Sequence, residues 1–93
     1  MTDEFDPILK PYRTKIDSLD DALTSLLVER EKIIREVAAI KLEHDIPSVI
    51  QLRVDEVREN AVSMAVQKGG DANYMREIYI KLSQLSCDIE EAE

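Results

Sequence analysis

The stretch Ile16-Asp-Ser-Leu19-Asp-Asp-Ala-Leu23-Thr-Ser-Leu26-Leu27-Val-Glu-Arg30-Glu-Lys-Ile33-Ile34-Arg-Glu-Val37-Ala-Ala-Ile40-Lys41 decides the fold. Its large apolar residues recur at alternating steps of three and four, the spacing of one face of an α-helix. Neither glycine nor proline interrupts it. The pattern predicts a long amphipathic helix from about Pro11 to Glu43. Asp6-Pro7 offers an earlier start, as an N-cap and first-turn pair, with Pro11 then lying inside the helix. Downstream, His44-Asp45-Ile46-Pro47 breaks the pattern, because proline disfavours helix at the residue before it.

Two shorter helices follow. Ser48-Val49-Ile50-Gln51 has the form of a capping box and predicts the start of the second. Ile50, Val54, Val57, Ala61, Met64 and Ala65 are its expected inner face, and Gly69-Gly70 its C-terminal stop. Asp71 is placed to cap a third helix, whose expected stripe is Met75, Ile78, Leu82, Leu85 and Ile89. The fold class is therefore all-α, with one long and two shorter helices.

Length constrains the assembly. A first helix of about 31 residues is about 46 Å long. A compact chain of this size has a radius of gyration of only about 12 Å. Two helices of about 18 to 20 residues cannot cover the whole first stripe. A second copy is expected to complete the core, in an intertwined homodimer of twofold symmetry.

The 93 residues suit one domain, 1–93. Only two Gly, three Pro and four aromatic residues occur, which suits helix packing over a sandwich or barrel. No apolar run approaches the roughly 20 residues of a membrane span, and no signal-type start is present. A lone Cys87 excludes an intrachain disulfide and is expected to be a small buried hydrophobe. A cytoplasmic location is the default expectation. Twelve Lys and Arg against twenty Asp and Glu leave a formal charge of −8, which argues against nucleic acid and anionic membrane as partners. There is no CxxC, Gly-rich phosphate loop or GxSxG. His44, the only histidine, reads as a solvated loop residue, so a His-based triad or an ordinary zinc site is not expected.

Against that acidic background, cations on an apolar face are informative. On a wheel of about 100° per residue, Leu19, Leu23, Leu26, Ile34 and Val37 fall within about 40° of Arg30, and Lys41 about 20° from it. Arg30 and Lys41 thus lie in the centre of the stripe, about 16 Å apart along the axis. A buried unpaired cation costs several kcal/mol, so a carboxylate side chain or an anionic ligand must offset it. Snorkelling to solvent is the bland alternative. Arg13 falls outside the stripe; it reads most simply as a solvated arginine, and in an antiparallel dimer it could serve the partner's site. Arg53 flanks the inner face of the second helix. Ser86 and Glu90, one turn apart, flank that of the third. The acidic run Asp88, Glu90, Glu91, Glu93 reads most simply as a solvated end. A non-enzymatic rival reading is a helical dimerisation module whose cations pair with internal acids.

Together these residues resemble the all-helical chorismate mutases. Arg13-Thr-Lys-Ile-Asp-Ser-Leu-Asp20 is similar to the family's opening R-x-x-I-D-x-L-D, and Leu26-Leu27-Val28-Glu29-Arg30 to its L-L-x-E-R block. Ala39-Ile40-Lys41 resembles the segment before its loop. Pro47 and Arg53 follow Lys41 at the family's spacing, and Asp71-Ala-Asn-Tyr74 resembles the start of its third helix.

The resemblance implies an intertwined dimer with two shared sites. It also implies a cofactor-free [3,3] rearrangement of chorismate, a small dicarboxylate, to prephenate. Carried over by position, Arg30 and Lys41 would bind the enolpyruvyl carboxylate and ether oxygen. Arg13 would reach in from the other subunit, Arg53 and Ser86 would form pocket wall, and Glu90 would face the ether oxygen. Two positions depart from the pattern: Ile50 and Val54 stand where members commonly carry acidic residues linked with the substrate's C4 hydroxyl. Arg53-Val54 and Cys87-x-x-Glu90 resemble instead the 4-amino-4-deoxychorismate mutases. Arg53-Val54 is similar also to the isochorismate-pyruvate lyases of this fold.

Overall fold

The computed structural model describes residues 4–92. Those residues form α1 (Asp6–Glu43), α2 (Gln51–Gln67) and α3 (Ala72–Ala92), with no strand among them. The all-α expectation holds, with one long helix and two shorter ones.

The earlier of the two possible starts is the one α1 uses. Asp6 is its first helical residue rather than its cap. The Phe5 carbonyl opens the helix instead, accepting from the amides of Ile8 (3.1 Å) and Leu9 (3.0 Å). Pro7 then sits where a missing amide costs nothing. Pro11 lies inside the helix and removes one backbone bond near its N-terminal end. At the other end, the Ile46 amide donates back to the Lys41 carbonyl at 2.8 Å, and Asp45 takes a left-handed backbone of φ 56°. That geometry closes the helix with a 6→1 bond, a conformation that Asp tolerates better than most side chains.

The expected capping box at Ser48 does not form. α2 begins at Gln51, and Ile50 stands at its cap with an extended backbone and no side-chain hydrogen bond. The Ile50 carbonyl accepts the first bonds, from Arg53 and Val54. The two box side chains are engaged elsewhere: Ser48 on α3, and Gln51 on Asp55, to which it donates at 2.9 Å. The other end follows the sequence. Gly69, at φ 84°, and Gly70 return bonds to Val66 (3.0 Å) and Ala65 (2.7 Å), the full glycine-terminated stop. Asp71 caps α3, its Oδ1 accepting from the Tyr74 amide at 2.8 Å.

The chain packs as two units that divide between Lys32 and Ile33. In the second, α2 and α3 lie against each other. Their buried residues are Ala61, Val62 and Ala65 on α2, and Ser83, Ser86 and Glu90 on α3. Small side chains let the two backbones approach closely. The expected inner face of α2 holds at Ala61 and Ala65, with Val54 and Val57 half-buried, whereas that of α3 is rotated. Ile50 and Met64 on α2, and Ile78 and Leu85 on α3, remain exposed in the single chain. In α1 only Ala38 is buried. The stripe that decides the fold is open: Leu19 is 69% exposed and Leu26 63%, and Ile16, Leu23, Leu27, Ile33 and Ile40 are exposed as well. No helix among the described residues is long and apolar enough to cross a membrane.

Candidate active site

Three elements meet at Lys41. Its position in the last turn of α1 places the ammonium under the loop that follows, where it donates to the Ser48 carbonyl at 3.0 Å. The same ammonium stands 2.8 Å from Glu90 Oε1 on α3. The Ser48 hydroxyl in turn donates to the Glu90 backbone carbonyl at 3.5 Å. The three residues form a closed ring that ties the end of α1, the loop and the end of α3 together.

This answers the question posed by a cation on an apolar face: a carboxylate offsets it. The Lys41 side chain is 17% exposed and that of Glu90 8%, so the attraction is little screened. The contact is one of charge rather than a directed bond. Glu90 Oε1 is buried and accepts no hydrogen bond among the described residues. Glu90 is accordingly not part of a solvated acidic end. α3 stays helical through Ala92, and Glu90 turns inward while its neighbour Glu91 stays exposed. Glu93 lies outside the described residues.

The other candidates fall as follows. Ser86, one turn before Glu90, is buried and returns its hydroxyl to the Leu82 carbonyl at 3.0 Å. Val54 is half-buried and Ile50 exposed. Arg53 lies along the outside of α2, paired with Glu56. In the N-terminal unit Arg13 is 3.4 Å from Asp6, and Arg30 is half-buried. Lys41, Ser86 and Glu90 are thus brought to one place, whereas Arg53 is turned toward Glu56.

A groove of about 300 Å³ runs beside this place, between α2 and α3. Val54, Arg58, Ser83, Cys87 and Glu91 border it. Cys87 is half-buried, less than expected of it. Burial pushes its thiol above the ordinary range, and the carboxylates of Glu90 and Glu91 add to the effect, with Lys41 opposing them. That is the reverse of what an activated nucleophile needs. Among the described residues, no group of three or more His, Cys, Asp and Glu could hold a metal ion.

Ser48 is the site member that sequence reasoning missed. Its hydroxyl was assigned to a helix cap, and nothing local signals a bond to a residue 42 positions away. What this arrangement can do is limited to binding and fixed electrostatics: an ammonium, a buried carboxyl and a wall of small polar residues.

No curated protein and no solved structure matches the chain. A family profile does: residues 12–91 match chorismate mutase type II. The matched span takes in α2, nearly all of α3 and most of α1. It includes every candidate from Arg13 to Glu90. The all-helical architecture and this match agree, and the chain belongs to the chorismate mutase type II family, a family of isomerases.

Proposed function

We propose that the chain converts chorismate to prephenate, as a homodimer whose two sites each draw residues from both subunits. The observation that carries this reading is the meeting of Lys41 and Glu90 at 2.8 Å. In the rearrangement the ether C–O bond breaks as a new C–C bond forms within the same molecule. No bond to the protein is made and no atom leaves. The protein's task is to hold a dicarboxylate in its compact, chair-like conformer and to stabilise charge as it develops on the ether oxygen.

Lys41 and Arg30 supply the cationic side for the enolpyruvyl carboxylate and ether oxygen. Glu90 faces that oxygen from beside Lys41, where only a group with a proton to give can hydrogen-bond it. Arg13 answers the second carboxylate from the partner. Arg53, which must leave Glu56 to do so, and Ser86 complete the wall. The chemistry needs neither a cofactor nor a nucleophile. The open stripe of α1 supports the dimer, because so much exposed apolar surface marks an interface. The acidic balance leaves nucleic acid and anionic membranes aside as partners.

A second reading rests on Ile50 and Val54. An apolar pair where a hydroxyl would need an acceptor favours 4-amino-4-deoxychorismate as substrate. Isochorismate, with loss of pyruvate, is a third. The experiment is direct: the purified chain is incubated with each of the three compounds and the products are identified. Prephenate from chorismate at the highest kcat/KM supports the first reading. A higher value for the amino compound replaces it with the second, and pyruvate release from isochorismate with the third.

A further inference from the structure

The loop between α1 and α2 carries a residue that no step above uses. Ser48 touches both members of the ion pair, through two different groups. Its carbonyl accepts from Lys41 Nζ at 3.0 Å, and its hydroxyl donates to the Glu90 backbone carbonyl at 3.5 Å. The ion-pair contact of 2.8 Å closes the ring. We propose that Ser48 is a positioning residue for the reaction, acting through Lys41 and Glu90 without touching substrate; this rests on the chorismate-type reading above.

The geometry gives each contact a separate task. Lysine is a flexible four-carbon stem with a rotatable ammonium, so its charge is only as well placed as its partners make it. An ion pair alone sets a distance and no direction, and Glu90 Oε1 accepts no directed bond. The Ser48 carbonyl supplies the direction for Lys41. That carbonyl is itself fixed only if the loop is fixed. The loop has no capping bond at α2 to anchor it, since Ile50 stands at the cap without one. The Ser48 hydroxyl provides the anchor, and it does so on the residue whose carboxyl must face the ether oxygen. One side chain therefore sets the register between the cation and the acid. Electrostatic catalysis depends on such preorganisation, and displacements well below a hydrogen-bond length are felt in rate.

The substitution Ser48→Ala removes the anchor and leaves the carbonyl. Losing one neutral hydrogen bond corresponds to about threefold to tenfold in rate. The loss should fall on kcat, with KM within about twofold, because charge and shape for ground-state binding remain. Ser48→Thr keeps the hydroxyl and should restore most of kcat. Ser48→Cys, of similar size but a poor donor, should lie between, and it decides the matter if the alanine variant does not fold.

A double-mutant cycle with Glu90→Ala separates positioning from general support of the fold. If Ser48 acts partly through the Glu90 carboxyl, the alanine change at 48 costs less once that carboxyl is gone, what remains being the part exerted through Lys41. The wild-type dimer is assayed first with chorismate, 4-amino-4-deoxychorismate and isochorismate. Inactivity on all three overturns the functional reading and this inference with it. If an active wild type is accompanied by a Ser48→Ala kcat within twofold of it, by failure of threonine to restore the rate, or by additive losses in the cycle, Ser48 is not a positioning residue and the functional reading stands.

Discussion

Lys41 and Glu90 lie 49 positions apart in the chain and meet at 2.8 Å, yet the carboxylate oxygen that makes the contact accepts no directed hydrogen bond among the described residues. The pair is held by charge and by the backbone around it. A carboxylate can only accept, whereas its protonated form can donate. A breaking ether bond needs a donor at its oxygen. Glu90→Gln offers an amide donor in the same place and should keep most of kcat/KM. Removing the group altogether, with Glu90→Ala, should cost on the order of 10² to 10³ in rate. A Glu90→Gln variant as slow as Glu90→Ala would remove Glu90 from the ether oxygen.

The open stripe of α1 leads to a prediction about mass. Sedimentation equilibrium at micromolar concentration should return twice the mass of one chain. The unfolding midpoint should rise with protein concentration, because folding and association are linked. A compact monomer with a concentration-independent midpoint would contradict the dimer.

Sharing of the site can be tested by mixing. Arg13→Ala and Arg30→Ala chains should each be nearly inactive alone. Refolded together, they form heterodimers in which one site carries both changes and the other neither. Activity should return toward the level set by the heterodimer fraction. Heterodimers that form without regaining activity would show that Arg13 does not serve its partner.

The stop of α2 makes a prediction about stability alone. Gly69 holds φ 84° with open space around its missing side chain. Alanine there meets no clash but must adopt a left-handed backbone, which costs about 1 to 2 kcal/mol. Gly69→Ala should lower the denaturant midpoint by a matching amount and leave kcat unchanged. At Gly70 the problem differs, since an added Cβ would lie 3.1 Å from the Ala65 carbonyl oxygen.

The thiol of Cys87 is pushed up by burial, then by Glu90 and Glu91. The thiolate is the reacting form. Alkylation of the native protein at about pH 8 should therefore be slower than that of the unfolded chain, and its rate should keep rising with pH beyond the range of an ordinary thiol. Glu91→Gln removes one of the raising charges and should speed the reaction. Native and unfolded chains that react equally fast would refute the shift.

Much of the fold was legible because helix periodicity and chain stops are local. The run from Ile16 to Lys41, the Gly69-Gly70 stop and the Asp71 cap each announce themselves within a few residues. The start of α2 was misread for the same reason: Ser48-x-x-Gln51 has the local form of a box, but a longer-range bond to α3 captures the serine. The face of α2 is legible at Ala61 and Ala65, but that of α3 is not, because its large apolar residues suggest one stripe and the single chain packs it through Ser83, Ser86 and Glu90. In the candidate site, Lys41 stood out as a cation in an apolar stripe. That its counter-charge is Glu90 is a tertiary fact, which neither helix's pattern contains.

The ring of Lys41, Ser48 and Glu90 also orders events in time. The helices depend on neighbours a few positions away and can form quickly, whereas the ring must close between residues 42 positions apart and waits for α3 to dock. Full helical signal and a finished site are then separate milestones. A preparation can carry every turn of α1, α2 and α3 and still lack the placed charge of the candidate site.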